Sequence, residues 1–246
     1  HQLDGLAVME TDVHVRQQLA CTARRLPARH AVPIINANIN RDCDNADPYL
    51  PLLWWWAVEQ HSVAGQDEVL RRFVRPTLWQ SELGREFLLP RLLRRYAAEA
   101  SADGLTALTM LLQAAPVGKA RQALWSAILQ GWQEQSAAET QSLIAITRPH
   151  EFSRLVLEAW QAAPADLVLT ELAIALQHPE PLAAARHDAF QQSTDTGRRV
   201  ALLGVLEQSK DPILITAALK TLQSTQPEAV REAALKLLAG YEDLQV

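Results

Sequence analysis

The sequence predicts an all-α chain. Three observations carry that prediction: a helix-favouring composition, apolar residues recurring at intervals of three and four between proline breaks, and a pattern near the C-terminus that returns at a fixed interval. Leu, Ala, Gln, Glu and Arg lose little rotamer freedom in a helix and are abundant, while only nine glycines and two methionines occur in 246 residues. No segment sustains the two-residue alternation of a half-buried strand. With 48% hydrophobic side chains, the chain can bury a large core, and it reads as one domain over residues 1–246.

Pro27, Asp47-Pro48, Pro76, Pro116, Pro149, Pro164, Pro179 with Pro181, Asp211-Pro212 and Pro227 punctuate the chain. The intervals between them accommodate about thirteen helices. The first clear helix follows Asp12, a candidate N-cap, and aligns Val15, Leu19, Thr22 and Leu26 on one face with Ala20 and Ala23 beside them, until Pro27 ends it. Later segments align Leu105, Leu108, Leu111, Leu112 and Ala115, then Leu124, Ala127, Ile128 and Trp132.

In the C-terminal third, RRVALLGVL (198–206), LITAALKTL (214–222) and VREAALKLL (230–238) superpose at a shift of sixteen residues. The match pairs Ala201, Ala217 and Ala233, then Leu203, Leu219 and Leu235, then Leu206, Leu222 and Leu238. Helices at this interval make hairpins of about 32 to 40 residues, which points to an α-solenoid of HEAT-like or armadillo-like hairpins, about six to seven repeats in all. An earlier echo relates Asp12-x-x-Val15-Arg16-x-x-Leu19-Ala20 to Asp47-x-x-Leu50-Pro51-x-x-Trp54-Trp55.

DPYLPLLWWWAVEQ (47–60) sets three tryptophans side by side. At about 100° per residue, Leu50, Leu53, Trp54, Ala57 and His61 share a face, Trp55 projects to one side of it and Trp56 lies nearly opposite. Leu52, Val58 and Val63 make the flanks apolar as well, so the segment is expected to be covered on several sides, as the inner layer of a repeat stack would be. Each buried indole N–H then needs an acceptor.

RQQLACTARRLP (16–27) followed by DPYLPLLWWWAVEQH (47–61) resembles the helical-repeat region of PVC-type membrane-bound dehydrogenase-like proteins. The resemblance covers residues 10–62, and beyond them it is one of architecture only. It implies a parent with an N-terminal dehydrogenase-type β-propeller, then HEAT-like helices, then a c-type cytochrome domain, in a periplasmic or secreted setting. Neither propeller nor C-x-x-C-H is present here, so the resemblance makes this chain the middle of a longer protein and transfers no catalytic or haem role to its residues.

Motifs of chemistry are sparse. RDCDNADP (41–48) is rich in Asp42, Asp44, Asn45 and Asp47 but misses the EF-hand spacing, since Ala46 and Asp47 fall at its fifth and sixth places and Leu53 at the twelfth. It reads instead as an acidic cap, with Asp47 bonding free amides and Pro48 at the first helical position. His150-Glu151 begins an H-E-x-x-H pattern that Arg154 breaks. Cys21 and Cys43 form no metal-ligand spacing, and His61, His178 and His187 are scattered. No P-loop, G-x-S-x-G or G-x-G-x-x-G occurs. No catalytic residue, metal or cofactor is therefore assigned to this chain.

The net charge of −5 gives the molecule no overall attraction for nucleic acid or anionic lipid, and no run reaches the roughly 18 apolar residues of a membrane span. One region opposes that charge: Arg71, Arg72, Arg75, Arg85, Arg91, Arg94 and Arg95, against Glu82 and Glu86. The expected function is a non-catalytic scaffold that docks other domains of its parent or a protein partner, with Arg71, Arg72, Arg75 and Trp56 as candidate partner-binding residues. The alternative is a nucleic-acid-binding repeat protein similar to HEAT-like DNA glycosylases, which combine tryptophans, a carboxylate and a basic concave face. The net charge weighs against it, because phosphate contacts supply most non-specific affinity.

Overall fold

The computed structural model describes residues 2–40, 44–116, 118–135 and 150–241, and among them every regular element is helical. The chain divides into two compact units, His1–Phe152 and Ser153–Val246. The first contains α1 (Gln2–Met9), α2 (Val13–Ala23), α3 (Ala28–Asn38), α4 (Leu50–Ser62), α5 (Gln66–Phe73), α6 (Pro76–Gln80), a π-helical segment (Leu83–Leu88) running into α7 (Leu89–Ala98), α8 (Ala102–Ala114) and α9 (Lys119–Gln133). The second follows the start of α10 (Glu151–Ala162) with α11 (Leu167–Ala175), α12 (Pro179–Phe190), α13 (Thr196–Glu207), α14 (Ile213–Gln223) and α15 (Glu228–Ala239). The described residues thus hold fifteen α-helices where periodicity counted about thirteen. Five-residue α6 is too short to display a full apolar period.

Helices pack on their neighbours and again on the helix one hairpin away. In the first unit α3 touches α1 and α5, and α5 touches α8, while α4 touches α2 and α7, and α7 packs most closely on α9. Two rows of helices result. In the second unit α13 packs on α11 and α15, and α12 packs on α14. Gly131 permits the close approach of α9 to α7, since a Cβ there would collide with the carbonyl of Arg94 and the side chain of Ala97.

The buried seam of one helix lies one residue away from the one its largest apolar side chains suggest. In α2 the buried residues are Arg16, Ala20 and Ala23, while Val15 and Thr22 face water and Leu19 and Leu26 are half-buried. In the second unit the sixteen-residue interval is visible in burial at Leu202, Ala218 and Ala234, and again at Val205, Thr221 and Leu237. Of the predicted set, Leu203, Leu206 and Leu238 are buried and Leu222 is half-buried, but Leu219 and Leu235 are exposed. The sixteen-residue match superposes α13 on α14, which stands in the other row: the two share the buried positions Leu202/Ala218 and Val205/Thr221, but α13 buries Leu203 as well. Small side chains at the seam let backbones approach, so alanine takes core positions that hydrophobicity alone would give to leucine.

The polar segment before α4 is fastened residue by residue. Arg16 donates to Asp44 from Nε (3.1 and 3.2 Å) and Nη2 (2.7 Å), and to the Thr11 carbonyl from Nη1 (2.7 Å). Asn45 donates to Glu82 at 2.8 Å. Asp47 accepts the amides of Tyr49 (2.9 Å) and Leu50 (2.8 Å), as a capping carboxylate should. Pro48, however, is not the first helical residue: α4 begins at Leu50 after Tyr49, and Pro51 occupies its first turn. Arg41, Asp42 and Cys43, like Pro149, lie outside the described residues.

The Leu50 amide, with help from Tyr49, holds the Asp47 carboxyl below its ordinary value of 3.8 despite some opposing desolvation. A pKa lowered by folding contributes stability that is present above the unfolded value and lost as pH falls through the folded one. Asp47→Ala is expected to lower stability by about 1 kcal/mol near neutrality. In urea denaturation the gap between parent and variant should close below about pH 3.8; a gap that persisted undiminished in acid would show that the carboxylate does not act as the cap.

Candidate functional site

The three tryptophans of α4 meet three environments. Trp54 is 0% exposed and Trp55 8%, whereas Trp56 is 40% exposed. Leu50, Ala57 and His61 are buried with Trp54, and His61 Nε2 lies 2.9 Å from the Ala23 carbonyl of α2, a structural bond rather than a free imidazole. The expectation of cover on several sides is corrected on one stripe. Leu52, Trp56, Glu59 and Val63, spaced by four, three and four, share one arc and are all exposed.

The indole N–H of Trp54 is buried and finds no acceptor among the described residues, contrary to the sequence expectation. An unmade hydrogen bond costs about 1–3 kcal/mol. Burying a tryptophan ring of 150–250 Å² contributes about 4–6 kcal/mol, so the ring stays inside.

The arginine cluster is divided between the two rows. Arg71 and Arg72 belong to α5, and Arg75 precedes α6. Arg71 is exposed and 3.3 Å from Glu68, Arg75 Nε donates to the Arg71 carbonyl at 3.2 Å, and Arg72 Nε is buried without an acceptor among the described residues. Arg91, Arg94 and Arg95 lie on α7, in the row of α4 and α9, and there they line a cleft of about 300 Å³. Trp55 and Glu59 of α4 form one wall, and Glu134, which follows α9, forms the other.

Local structure explains how α7 presents this face. The π-helical turn before it is wider than an α-turn and re-phases the side chains that follow. Leu89, Leu92, Leu93 and Tyr96 then point inward, and the arginines at 91, 94 and 95 fall on the opposite arc. Burial pushes the Tyr96 hydroxyl well above its ordinary value, as an ionised phenolate would be poorly solvated there.

The three guanidinium groups differ in how they are engaged. Arg94 binds Glu134 (Nε to Oε1 2.6 Å, with a second contact through Nη2), and Arg95 binds Glu99 at 2.5 Å. Arg91 has no carboxylate partner among the described residues. Its guanidinium lies 3.5 Å from the centre of the Phe87 ring, and its Nη1 donates to the Phe87 carbonyl at 3.1 Å. Burial, reinforced by the neighbouring Arg94 charge, pulls the Arg91 pKa below its ordinary value, yet the group stays protonated.

A second cleft, of about 310 Å³, lies in the other unit beside Trp160, Pro164 and Pro181. Its polar groups answer one another: Arg198 reaches Asp188 at 3.3 Å and the Ala165 carbonyl at 2.8 Å. The α7 cleft is the better candidate because its central cation is left with donors to spare.

Sequence reasoning set Trp56 nearly opposite Trp54 and named it a candidate partner-binding residue while expecting the segment to be covered, and it placed the arginines in one cluster without separating Arg91, Arg94 and Arg95 from Arg71, Arg72 and Arg75. Trp55, Glu59 and Glu134 were missed. The spacing of three and four between Arg91, Arg94 and Arg95, opposite four apolar residues, was the available signal. Glu134 carries none, being some forty residues distant and placed by packing of α9.

Among the described residues no group of three or more His, Cys, Asp or Glu side chains could hold a metal ion, and no helix is long and apolar enough to cross a membrane. Cys21 is a free thiol, half-buried in α2. Comparison with protein-family models, curated proteins and solved structures finds no match to this chain.

Proposed function

We infer that this chain is a non-catalytic helical-repeat module of HEAT-like type, with about six to seven hairpins, that docks other domains or a protein partner. The observation that carries the reading is the packing of α3 on α1 and α5, α4 on α2 and α7, α7 on α9, and α13 on α11 and α15, together with a buried register that returns at sixteen residues in the second unit. Such stacking leaves long helical faces open to solvent, and here they carry Arg71, Arg75 and Trp56, with Arg72 half-buried beside them, as well as the α7 cleft. In the parent implied by the sequence resemblance, the module links a dehydrogenase-type propeller to a c-type cytochrome domain, with no cofactor of its own.

The test is association kinetics between this chain and the flanking parts of its own gene product, expressed separately. Combined charge reversal at Arg71, Arg72 and Arg75 is expected to slow association by about tenfold at low ionic strength, with the difference shrinking as salt screens the surface. An unchanged rate would remove these arginines from the docking surface, and intrinsic turnover by the purified chain would overturn the scaffold reading. The alternative, a HEAT-like DNA glycosylase or nucleic-acid-binding repeat protein, requires salt-dependent binding of short duplex DNA. Glu59 and Glu134 inside the arginine cleft oppose a phosphate backbone and favour the protein partner.

A further inference from the structure

We propose that the α7 cleft and the adjoining open stripe of α4 form a receptor for an acidic peptide segment of a protein partner, with Arg91 meeting its carboxylate and Trp55 and Trp56 its apolar side chains. This deepens the interaction-module reading and rests on it.

The argument begins with Arg91. A half-buried guanidinium held between an aromatic ring and a backbone carbonyl is fixed in direction before any ligand arrives, so little side-chain entropy remains to be lost on binding. Two of its three nitrogens make no bond among the described residues, whereas Arg94 and Arg95 are already engaged by Glu134 and Glu99. A planar donor fork of this kind matches a carboxylate.

Charge narrows the ligand. Three arginines and two glutamates line the cleft; Glu134 engages Arg94 and Glu99, just outside, engages Arg95, so Arg91 is the one cation there without a carboxylate partner among the described residues. That suits a single carboxylate; a phosphate dianion or a nucleic-acid backbone would bring excess negative charge against Glu59 and Glu134. The wall beside Arg91 is the indole of Trp55, which accommodates an apolar group next to the acid. Glu59 belongs both to the cleft and to the stripe that carries Leu52, Trp56 and Val63, so the two surfaces are continuous. Exposed aromatic and arginine side chains of this sort are the residues on which protein interfaces concentrate their binding energy.

The experiment is fluorescence anisotropy of a fluorescein-labelled peptide of alternating Glu and Leu, titrated with the full chain at low ionic strength. The same peptide with Gln for Glu tests the charge, and inorganic phosphate is the competitor. Expected results are saturable binding of the Glu peptide, at least about tenfold weaker binding of the Gln peptide, a similar loss in Arg91→Met, a partial loss in Arg91→Lys, and weakening by Trp56→Ala. Circular dichroism and the melting midpoint should be unaltered in Arg91→Met, which keeps the contact with Phe87.

No binding by either peptide, equal binding by both, or undiminished binding by Arg91→Met overturns the proposal. So does displacement by phosphate at concentrations that leave the ionic strength unchanged. Failure here, with partner association still slowed by reversal of Arg71, Arg72 and Arg75, would refute the peptide receptor while leaving the interaction module standing.

Discussion

Trp54→Ala is expected to destabilise the chain by about 3–5 kcal/mol, and Trp56→Ala, two residues on, by about 1 kcal/mol or less. The side chains are identical and the helix is the same. What differs is that Trp54 is 0% exposed, against α2 and its neighbours, while Trp56 is 40% exposed on the open stripe. Removing the first ring leaves a cavity that the row of α2, α4 and α7 cannot close without moving whole helices. Removing the second leaves a surface hollow that water fills. Urea denaturation followed by circular dichroism measures both, compared as midpoint shifts because two compact units need not unfold as one. Equal losses in the two variants would mean that α4 does not sit with Trp54 inward.

A loss of about 3–5 kcal/mol is likewise expected for Asp44→Ala, for a different reason. Asp44 is fully buried, and the Arg16 side chain is only 8% exposed, so truncation takes from a buried guanidinium the carboxylate that accepts its Nε and Nη2 bonds. The pair joins residues 28 apart and anchors the segment entering α4 to α2. Replacing both partners with apolar side chains, Arg16→Met with Asp44→Leu, removes the buried charge together with the bridge. That double variant should recover most of the loss, since a buried ion pair contributes little net stability over a well-packed apolar contact. If the double variant were as unstable as Asp44→Ala alone, the bond geometry itself would be the stabilising element, and desolvation of the buried guanidinium would not explain the effect.

The Arg16 to Asp44 pair also shows where reading the sequence stops. Asp44 was legible as part of an acidic cluster and Arg16 as part of a repeated pattern, yet nothing in spacing joins the two. The same holds for Arg94 and Glu134, which meet because Gly131 lets α9 settle against α7. The α7 cleft was half legible: its arginines stand out against a net charge of −5, whereas its aromatic wall and its far carboxylate do not.

By itself the sequence determined that the chain is helical, roughly where helices begin and end, that Asp12 and Asp47 cap free amides, and that a residue pattern recurs sixteen residues apart near the C-terminus. These are local properties, set by propensity, capping chemistry and period, and they need no knowledge of neighbours. The tertiary structure alone decided which arc of each helix is buried. In α2 the seam shifted by a residue toward alanine, because close approach of backbones rewards small side chains where periodicity weighs only hydrophobicity, and in α14 and α15 Ala218 and Ala234 are buried while Leu219 and Leu235 face water. It alone decided that Trp56 stays in water beside two buried neighbours, and that Arg91 keeps its charge without a carboxylate. Both outcomes depend on what stands across from a helix, a property of the packed rows that no single stretch of chain contains.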